Sequence, residues 1–340
     1  MPSCLYTKVY CLLLSLAFPL IGFGQTLSLF KFERPLMGTH FFIVCYANDS
    51  TLAAQTAEKA FSRIEMLNNI LSDYHPESEI NLLTNNQVVG EAYKVSDDLW
   101  YMLQKSTQVA KLTNGIFDVT IGSCTKLWRR AKRKRELPQN KEIDNALENT
   151  GISTFELLPT KQSIVFNRPD VKLDFGGIAK GYAADEAFRI FKSAGIEQVM
   201  VDAGGDIFCG KAPPNKKAWQ VKIISGLGTD TLQANLENAA IATSGDLYRF
   251  FELEGKRYSH IINPKTCMPI SEAMATTVIS GSAEQADYLA SVANILGKGT
   301  TTKKISKKHA ESYIIVAVKK SKKTTVKYYG NKKFKSLLKQ

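Results

Sequence analysis

Cysteine and histidine are scarce in this chain. Six cysteines and four histidines are spread over 340 residues, and no two cysteines stand in CxxC spacing. That pattern indicates neither a zinc site nor a disulfide framework. The expectation is four separate thiols, Cys45, Cys124, Cys209 and Cys267, once an N-terminal segment holding Cys4 and Cys11 is removed. No internal repeat and no Pro/Ser-rich linker interrupts the sequence. Beyond the N-terminus no stretch reaches the roughly 20 apolar residues that a membrane span needs. Acid is nearly missing from the C-terminal part: residues 298–340 carry 14 Lys and one acid, Glu311. The rest holds 30 basic against 31 acidic residues, so the net charge of +12 belongs to the tail. A near-neutral body makes no case for a nucleic-acid partner. With 44% hydrophobic and 22% charged residues, wholesale disorder is excluded.

What is present begins with an apolar run from Val9 to Gly24, preceded by Lys8 and broken by Pro19. Its length and small-residue end predict a secretory signal over residues 1–24, cleaved after Gly24. An uncleaved anchor is the alternative. Cys4 and Cys11 do not follow the run, which argues against lipidation. Residues 25–340 then form a single domain with a Lys-rich segment, 298–340.

Hydrophobic spacing at Ala57, Phe61, Ile64, Leu67 and Leu71 predicts a helix over 53–71. Ser96 caps a second helix that runs to about Leu112. A third runs from Asp185 to Ala194, and a fourth from Ser282 to Leu296 with Ser282 and Gln285 as a capping box. Strands are expected at 198–203, 218–224, 233–242 and 313–318, with 326–329 as a hairpin partner of the last. The basic run Lys126 to Arg135 reads as a solvated face. Strands and helices mix without regular βαβ alternation, which predicts an α+β fold with mixed or antiparallel sheets and flanking helices.

Several segments carry groups suited to chemistry. Leu173 to Asp185 places Gly176-Gly177 before a helix, where free N–H groups and Lys180 suit a phosphate, although it is neither GxGxxG nor a P-loop. Ala203-Gly204-Gly205-Asp206 ends a strand in a tight turn. His260 lies among Ser259, Arg257 and Asn263, a setting for a general base. Glu284, Asp287 and Ser291 share one helical face, and hard oxygen donors of this kind suit Mg²⁺. Tyr74 and Phe117 stand beside turns, where they flank a planar ring or simply fill core.

In this order the segments resemble the ApbE family, the FAD:protein FMN transferases. The resemblance runs from Met37-Gly38-Thr39 through Leu71-Ser72-Asp73-Tyr74, Ser78-Glu79-Ile80, Asn114-Gly115-Ile116-Phe117-Asp118 and Leu173 to Asp185. It continues through Ala203-Gly204-Gly205-Asp206, Thr243-Ser244-Gly245 and His260-Ile261-Ile262-Asn263-Pro264, and closes with Ala286 to Ser291. It implies an ApbE-type fold that uses Mg²⁺ and FAD, moves FMN to a Thr or Ser hydroxyl of a partner flavoprotein, and releases AMP. By the same likeness Met37, Tyr74, Ile116, Phe117, Asp118, Asp174, Lys180 and Ile261 line the FAD site. The Gly177 carbonyl with Asp287 and Ser291 holds the metal, and His260 is the base. The implied acceptor is an exported or membrane-anchored redox subunit, and the implied location is the periplasm or the outer face of the cytoplasmic membrane. Ser291 replaces the family's usual Thr, and Cys267 stands where its Pro-x-Thr-Gly turn ends in Gly. If that position needs φ > 0, Cys carries a steric cost there. The resemblance does not explain the Lys-rich tail, which offers a membrane-surface contact or a solvated face. An Mg²⁺-dependent FAD pyrophosphatase, a non-catalytic exported FAD carrier and a cationic envelope-binding protein remain alternatives.

Overall fold

A computed structural model of the chain describes residues 27–223, 232–246, 249–309, 312–320, 323–330 and 335–339. The expected signal segment lies outside the described residues. An eight-stranded antiparallel sheet forms the centre. Its strands follow one another in space as in sequence: Ser28–Leu36, Thr39–Ala47, Val199–Ala203, Ile207–Cys209, Ala239–Gly245, Met274–Ser280, Ser312–Lys320 and Lys323–Gly330. Eight helices are seen among the described residues: α1 (Ser50–Leu71), α2 (Glu79–Asn85), α3 (Asp97–Leu112), α4 (Gly122–Lys134), α5 (Asn140–Glu148), α6 (Ala179–Ser193), α7 (Ala283–Leu296) and α8 (Thr300–Lys308). The fold is α+β, as the sequence predicts.

Alternation along the strands builds two cores. Phe41, Ile43 and Cys45 face the helices α1, α6 and α7, while Val44 and Tyr46 face the other side. There they meet a small sheet of Trp219–Lys222, Gln233–Leu236 and Leu338–Lys339. The middle of the Lys-rich segment is part of this frame. Ile314, Val316 and Val318 enter the helix-side core, and Tyr313 and Ile315 the opposite one. The predicted hairpin partner is Lys323–Gly330. No helix among the described residues is long and apolar enough to cross a membrane.

Helix boundaries follow local chemistry. Asp49 caps α1 by accepting from the Thr51 and Leu52 amides, and Ser96 caps α3 at Leu99. Ser282 caps α7 at Gln285, but the Gln285 side chain accepts from the Ser280 hydroxyl, so the expected capping box is only half made. α6 starts at Ala179, directly after the glycine pair and earlier than the apolar pattern suggests. The single strand expected over 233–242 is two strands of different sheets. Asn238 adopts φ 47° between them, a left-handed conformation that Asn tolerates.

One feature corrects the expectation of four separate thiols. Cys124 and Cys267 form a disulfide with Cα atoms 5.4 Å apart, while Cys45 and Cys209 are free and buried. The sequence could not pair them, because 143 residues separate the partners and the fold alone brings α4 to the turn at Cys267. Closing such a loop typically adds about 2–4 kcal/mol by constraining the unfolded chain.

α6 and α7 exchange caps. Asp185 of α6 accepts from the Ala283 and Glu284 amides at 2.8 and 2.9 Å, and Asp287 of α7 accepts from the Gly181 amide at 3.1 Å. Gly181 allows this approach, since a Cβ there would overlap the Ala283 carbonyl. Gly181→Ala is therefore expected to destabilise the fold by about 1–3 kcal/mol, the usual cost of overpacking. Urea denaturation measures it, and a change within about 0.5 kcal/mol, as at an ordinary surface position, would contradict the close approach.

Candidate functional site

The glycine pair before α6 lies at the meeting of the two helix N-termini. The Gly176 amide donates to Asp174 Oδ1 at 2.8 Å, which fixes the loop. A Cβ on Gly177 would stand 3.2 Å from Ser291 Oγ and 3.4 Å from the Phe117 ring, so these three residues are neighbours. One turn before Ser291, Asp287 is buried, and its Oδ2 receives the Gly181 amide and lies 3.9 Å from Lys180 Nζ. Burial raises the Asp287 pKa, against the Lys180 charge and the Gly181 amide. Lys180 also pairs with the buried Asp206 at the end of the second glycine turn. Thr39 occupies the space that a Cβ on Gly204 would fill, which sets the Met37 turn against that same glycine turn. Met37 itself holds φ 49° in the hairpin turn and packs partly on the core.

A second group stands beside the first. Arg129 pairs with Asp73 and reaches Asp174 Oδ2 at 3.3 Å. Its guanidinium lies over the Tyr74 ring, 4.1 Å from the centroid. Tyr74 is 75% exposed, so this cation is what steadies an aromatic platform otherwise open to solvent. The Asp73 carboxyl is pushed up to about 6 by burial and by the Asp174 charge, with Arg129 and Lys126 opposing. Arg129 corrects the reading of residues 126–135 as a purely solvated run. Leu127, Trp128 and Ala131 face a buried cluster, Arg129 points to the site, and only Lys132 to Arg135 are wholly exposed. The clue in the sequence is the apolar stripe Cys124, Leu127, Trp128, Ala131, which places Arg129 at its border.

His260 follows the strand Lys256–Ser259 and precedes Ile262–Asn263. Its amide donates to the Arg249 carbonyl at 2.9 Å, and its Nδ1 lies 3.0 Å from that same oxygen. A carbonyl only accepts, so Nδ1 carries the hydrogen and Nε2 keeps its lone pair. The side chain is open to solvent on one side while protein packs around its others. That desolvation lowers its pKa, helped by the charges of Arg249 and Lys180 and opposed by the Arg249 carbonyl and Asp246. Asp246, fully buried, is neutralised by Arg257 and accepts from the Met274 amide at 3.2 Å.

Not every expected residue joins through its side chain. Glu284 turns from Asp287 and Ser291 to Tyr101, at 3.0 Å, and Lys105, at 3.4 Å, so the predicted three-oxygen face divides after its first turn. Asp118 is buried and occupied by Thr120, whose amide and hydroxyl donate to Oδ1 at 2.9 and 2.6 Å. Ile116 is half-buried beside Phe117. Ile261 is buried next to His260 and holds Ile270 through its carbonyl. Two open clefts of about 400 and 470 Å³ lie elsewhere, one around Leu82 and Tyr93 and one over Gln55 to Met66 of α1.

Comparison with known proteins gives a consistent picture. The model of the ApbE family matches residues 37–315. The FAD:protein FMN transferase of Haemophilus influenzae is 29% identical over 293 residues, 82% of this chain and 84% of that one. That of Vibrio cholerae is 30% identical over 271 residues, 78% and 80% of the two chains. The solved structure of the flavin transferase ApbE from Vibrio cholerae matches with a TM-score of 0.80 at 26% identity, over 92% of this chain and 99% of that one. The ApbE protein of Thermotoga maritima matches with a TM-score of 0.81 at 25% identity, over 92% and 100%.

The Arg129 cluster makes a prediction that needs no assay. Arg129→Gln removes the charge that holds the Asp73 pKa down, so that value is expected to rise above about 6. Carboxyl carbon NMR titration reads it, and an unchanged or lower pKa would show that Arg129 does not act on Asp73.

Proposed function

The chain belongs to the ApbE family, and from that membership we propose that it is an FAD:protein FMN transferase that uses Mg²⁺. FMN passes from FAD to a Thr or Ser hydroxyl of an acceptor protein, and AMP leaves. In this reaction the acceptor oxygen attacks the phosphorus on the FMN side of the diphosphate. An O–P bond forms, the bridging P–O bond to AMP breaks, and the acceptor proton goes to His260 Nε2. The observation that supports the reading best is the state of His260. Its pKa lies below the ordinary 6.5 and its Nδ1–H is committed to the Arg249 carbonyl, so a neutral ring offers Nε2 at neutral pH.

The other residues bind and orient. Tyr74, steadied by Arg129, offers an exposed ring face to a planar ring of FAD. The Lys180 ammonium, in the first turn of α6, suits the diphosphate. Met37, Ile116, Phe117, Asp118, Asp174 and Ile261 surround this path as the family likeness implies. The donor set of Gly177 carbonyl, Asp287 carboxylate and Ser291 hydroxyl is of hard oxygens, the kind that Mg²⁺ takes. Among the described residues no group of three or more His, Cys, Asp or Glu forms a cage of side chains. A set of one carbonyl, one carboxylate and one hydroxyl suits an ion that keeps waters and shares ligand phosphates. When bound, Mg²⁺ would supply charge neutralisation at the diphosphate.

Export is part of the proposal. It is supported by the apolar segment before Gly24 and implies an exported or membrane-anchored acceptor. A mass-spectrometric assay with FAD, Mg²⁺ and a threonine-bearing acceptor domain tests the whole. A gain of one FMN on the acceptor with AMP released is expected. Free FMN and AMP without a labelled acceptor would point to a pyrophosphatase, and bound but uncleaved FAD to a carrier. His260→Ala is expected to slow transfer by about 10²- to 10⁴-fold while FAD still binds. Because protonation removes the base, the rate should fall as pH drops through a pKa below 6.5, and that acid limb should vanish in His260→Ala. Loss of FAD binding in the variant would remove the base assignment. Asp287→Ala is expected to abolish Mg²⁺-dependent transfer, and unchanged activity at limiting Mg²⁺ would remove it from the metal set.

A further inference from the structure

We propose that the Cys124–Cys267 disulfide is a positioning element for His260, holding to α4 the turn from which the His260 segment is built. Cys267 adopts φ 54°, in the left-handed region. A Cβ makes that conformation unfavourable, whereas Gly takes it freely, which matches the family's Gly at this place. Within the turn the Asn263 carbonyl receives the Thr266 and Cys267 amides at 3.2 and 2.8 Å, so the left-handed residue is needed to close it. A cysteine there is compatible with the turn when something outside the turn holds it.

α4 does so at three points. Cys124 in its first turn makes the disulfide, the Trp128 Nε1–H donates to the Cys267 carbonyl at 2.6 Å, and the Trp128 ring stacks on Tyr258 at 5.2 Å. Both sulfur-bearing residues are fully buried. The turn passes this constraint to His260 through short backbone bonds. The Ser259 amide donates to the Ile270 carbonyl at 3.2 Å, and the Ile270 amide to the Ile261 carbonyl at 3.0 Å. His260 thus sits between two residues tied to the returning strand of a hairpin whose tip is anchored. Arg129, next after Trp128, holds Tyr74 and Asp174 on the other side of the site. One helix therefore sets the distance between the aromatic platform and the base.

The inference rests on the transferase reading, so the experiment includes one readout that does not depend on turnover. The full chain is compared oxidised and reduced, with reduction verified by a gain of two titratable thiols and folding by circular dichroism. Reduction is expected to lower the transfer rate about ten- to hundred-fold, the scale of a small misplacement of a reacting group, with the Kd for FAD unchanged. Only four histidines are present, so ring NMR follows His260 separately; its titration should move toward the ordinary value as the hairpin loosens, whether or not FMN is transferred. Cys124→Ala, which leaves Cys267 in the turn without its anchor, should behave as the reduced chain. Adding Cys267→Gly to that variant should recover most of the rate and make it indifferent to reductant. Three outcomes would overturn the proposal. They are an unchanged rate and His260 titration after verified reduction, a parallel loss of FAD binding, and a double variant as slow as Cys124→Ala alone. Absence of transfer in the oxidised chain, with the His260 titration still sensitive to reduction, would instead count against the transferase reading and leave the positioning role standing.

Discussion

The reciprocal capping of α6 and α7 is the constraint on which the site depends. Each helix start presents unpaired amides, and each is answered by a carboxylate from the other helix. The arrangement requires two backbones to approach within the width of a glycine at Gly181. Once made, it fixes Asp287, and through one further turn Ser291, beside Gly177. The same two N-termini make the region favourable to negative charge. A corner suited to the proposed diphosphate therefore arises from the packing of the helices, in a sequence that holds neither a P-loop nor GxGxxG.

Charge around this corner is organised in small groups in which every carboxylate faces a cation. Asp206 and Asp287 share Lys180, Asp73 and Asp174 share Arg129, and Asp246 has Arg257. Burying a lone carboxylate is costly, and a neighbouring cation with hydrogen bonds offsets that cost. Asp287 is the weakest answered of these, since its cation lies 3.9 Å away and is also engaged by Asp206. The carboxylate with the loosest compensation is thus the one proposed as a metal ligand. Around His260 the balance is reversed: desolvation and two nearby cations favour its neutral form, the form a base needs.

What is legible in the sequence is local. The stripe on α1, the Ser96 cap and the glycine turns are short-range patterns, and each becomes the expected element. The order of the motifs carries the family, and the family carries Gly177, Asp287 and Ser291, which the structure brings together. What escapes the sequence is long-range or contextual. No spacing rule pairs Cys124 with Cys267 across 143 residues. Nothing local distinguishes Arg129 from the other cations of the run Lys126 to Arg135 until the apolar stripe of α4 finds its partner surface. Glu284 matches the helical register of Asp287, yet Tyr101 and Lys105 on α3 draw it away. Asn238 ends a strand that alternation alone would continue.

At Cys267 a local conformational rule meets a long-range contact. Its position calls for glycine on conformational grounds, and the substitution of a β-carbon there is unfavourable when the turn is considered alone. Seen with α4, the same residue gains a covalent partner, an indole hydrogen bond to its carbonyl and a buried site. A local rule is broken where a tertiary contact makes up for it, which is where such departures are expected in a folded chain. The consequence is that α4 bears on both sides of the site through adjacent residues. Trp128 and Cys124 hold the hairpin of His260, and Arg129 holds Tyr74 and Asp174. A shift of this one helix would move the platform and the base together, so their spacing is protected even if the helix itself is displaced.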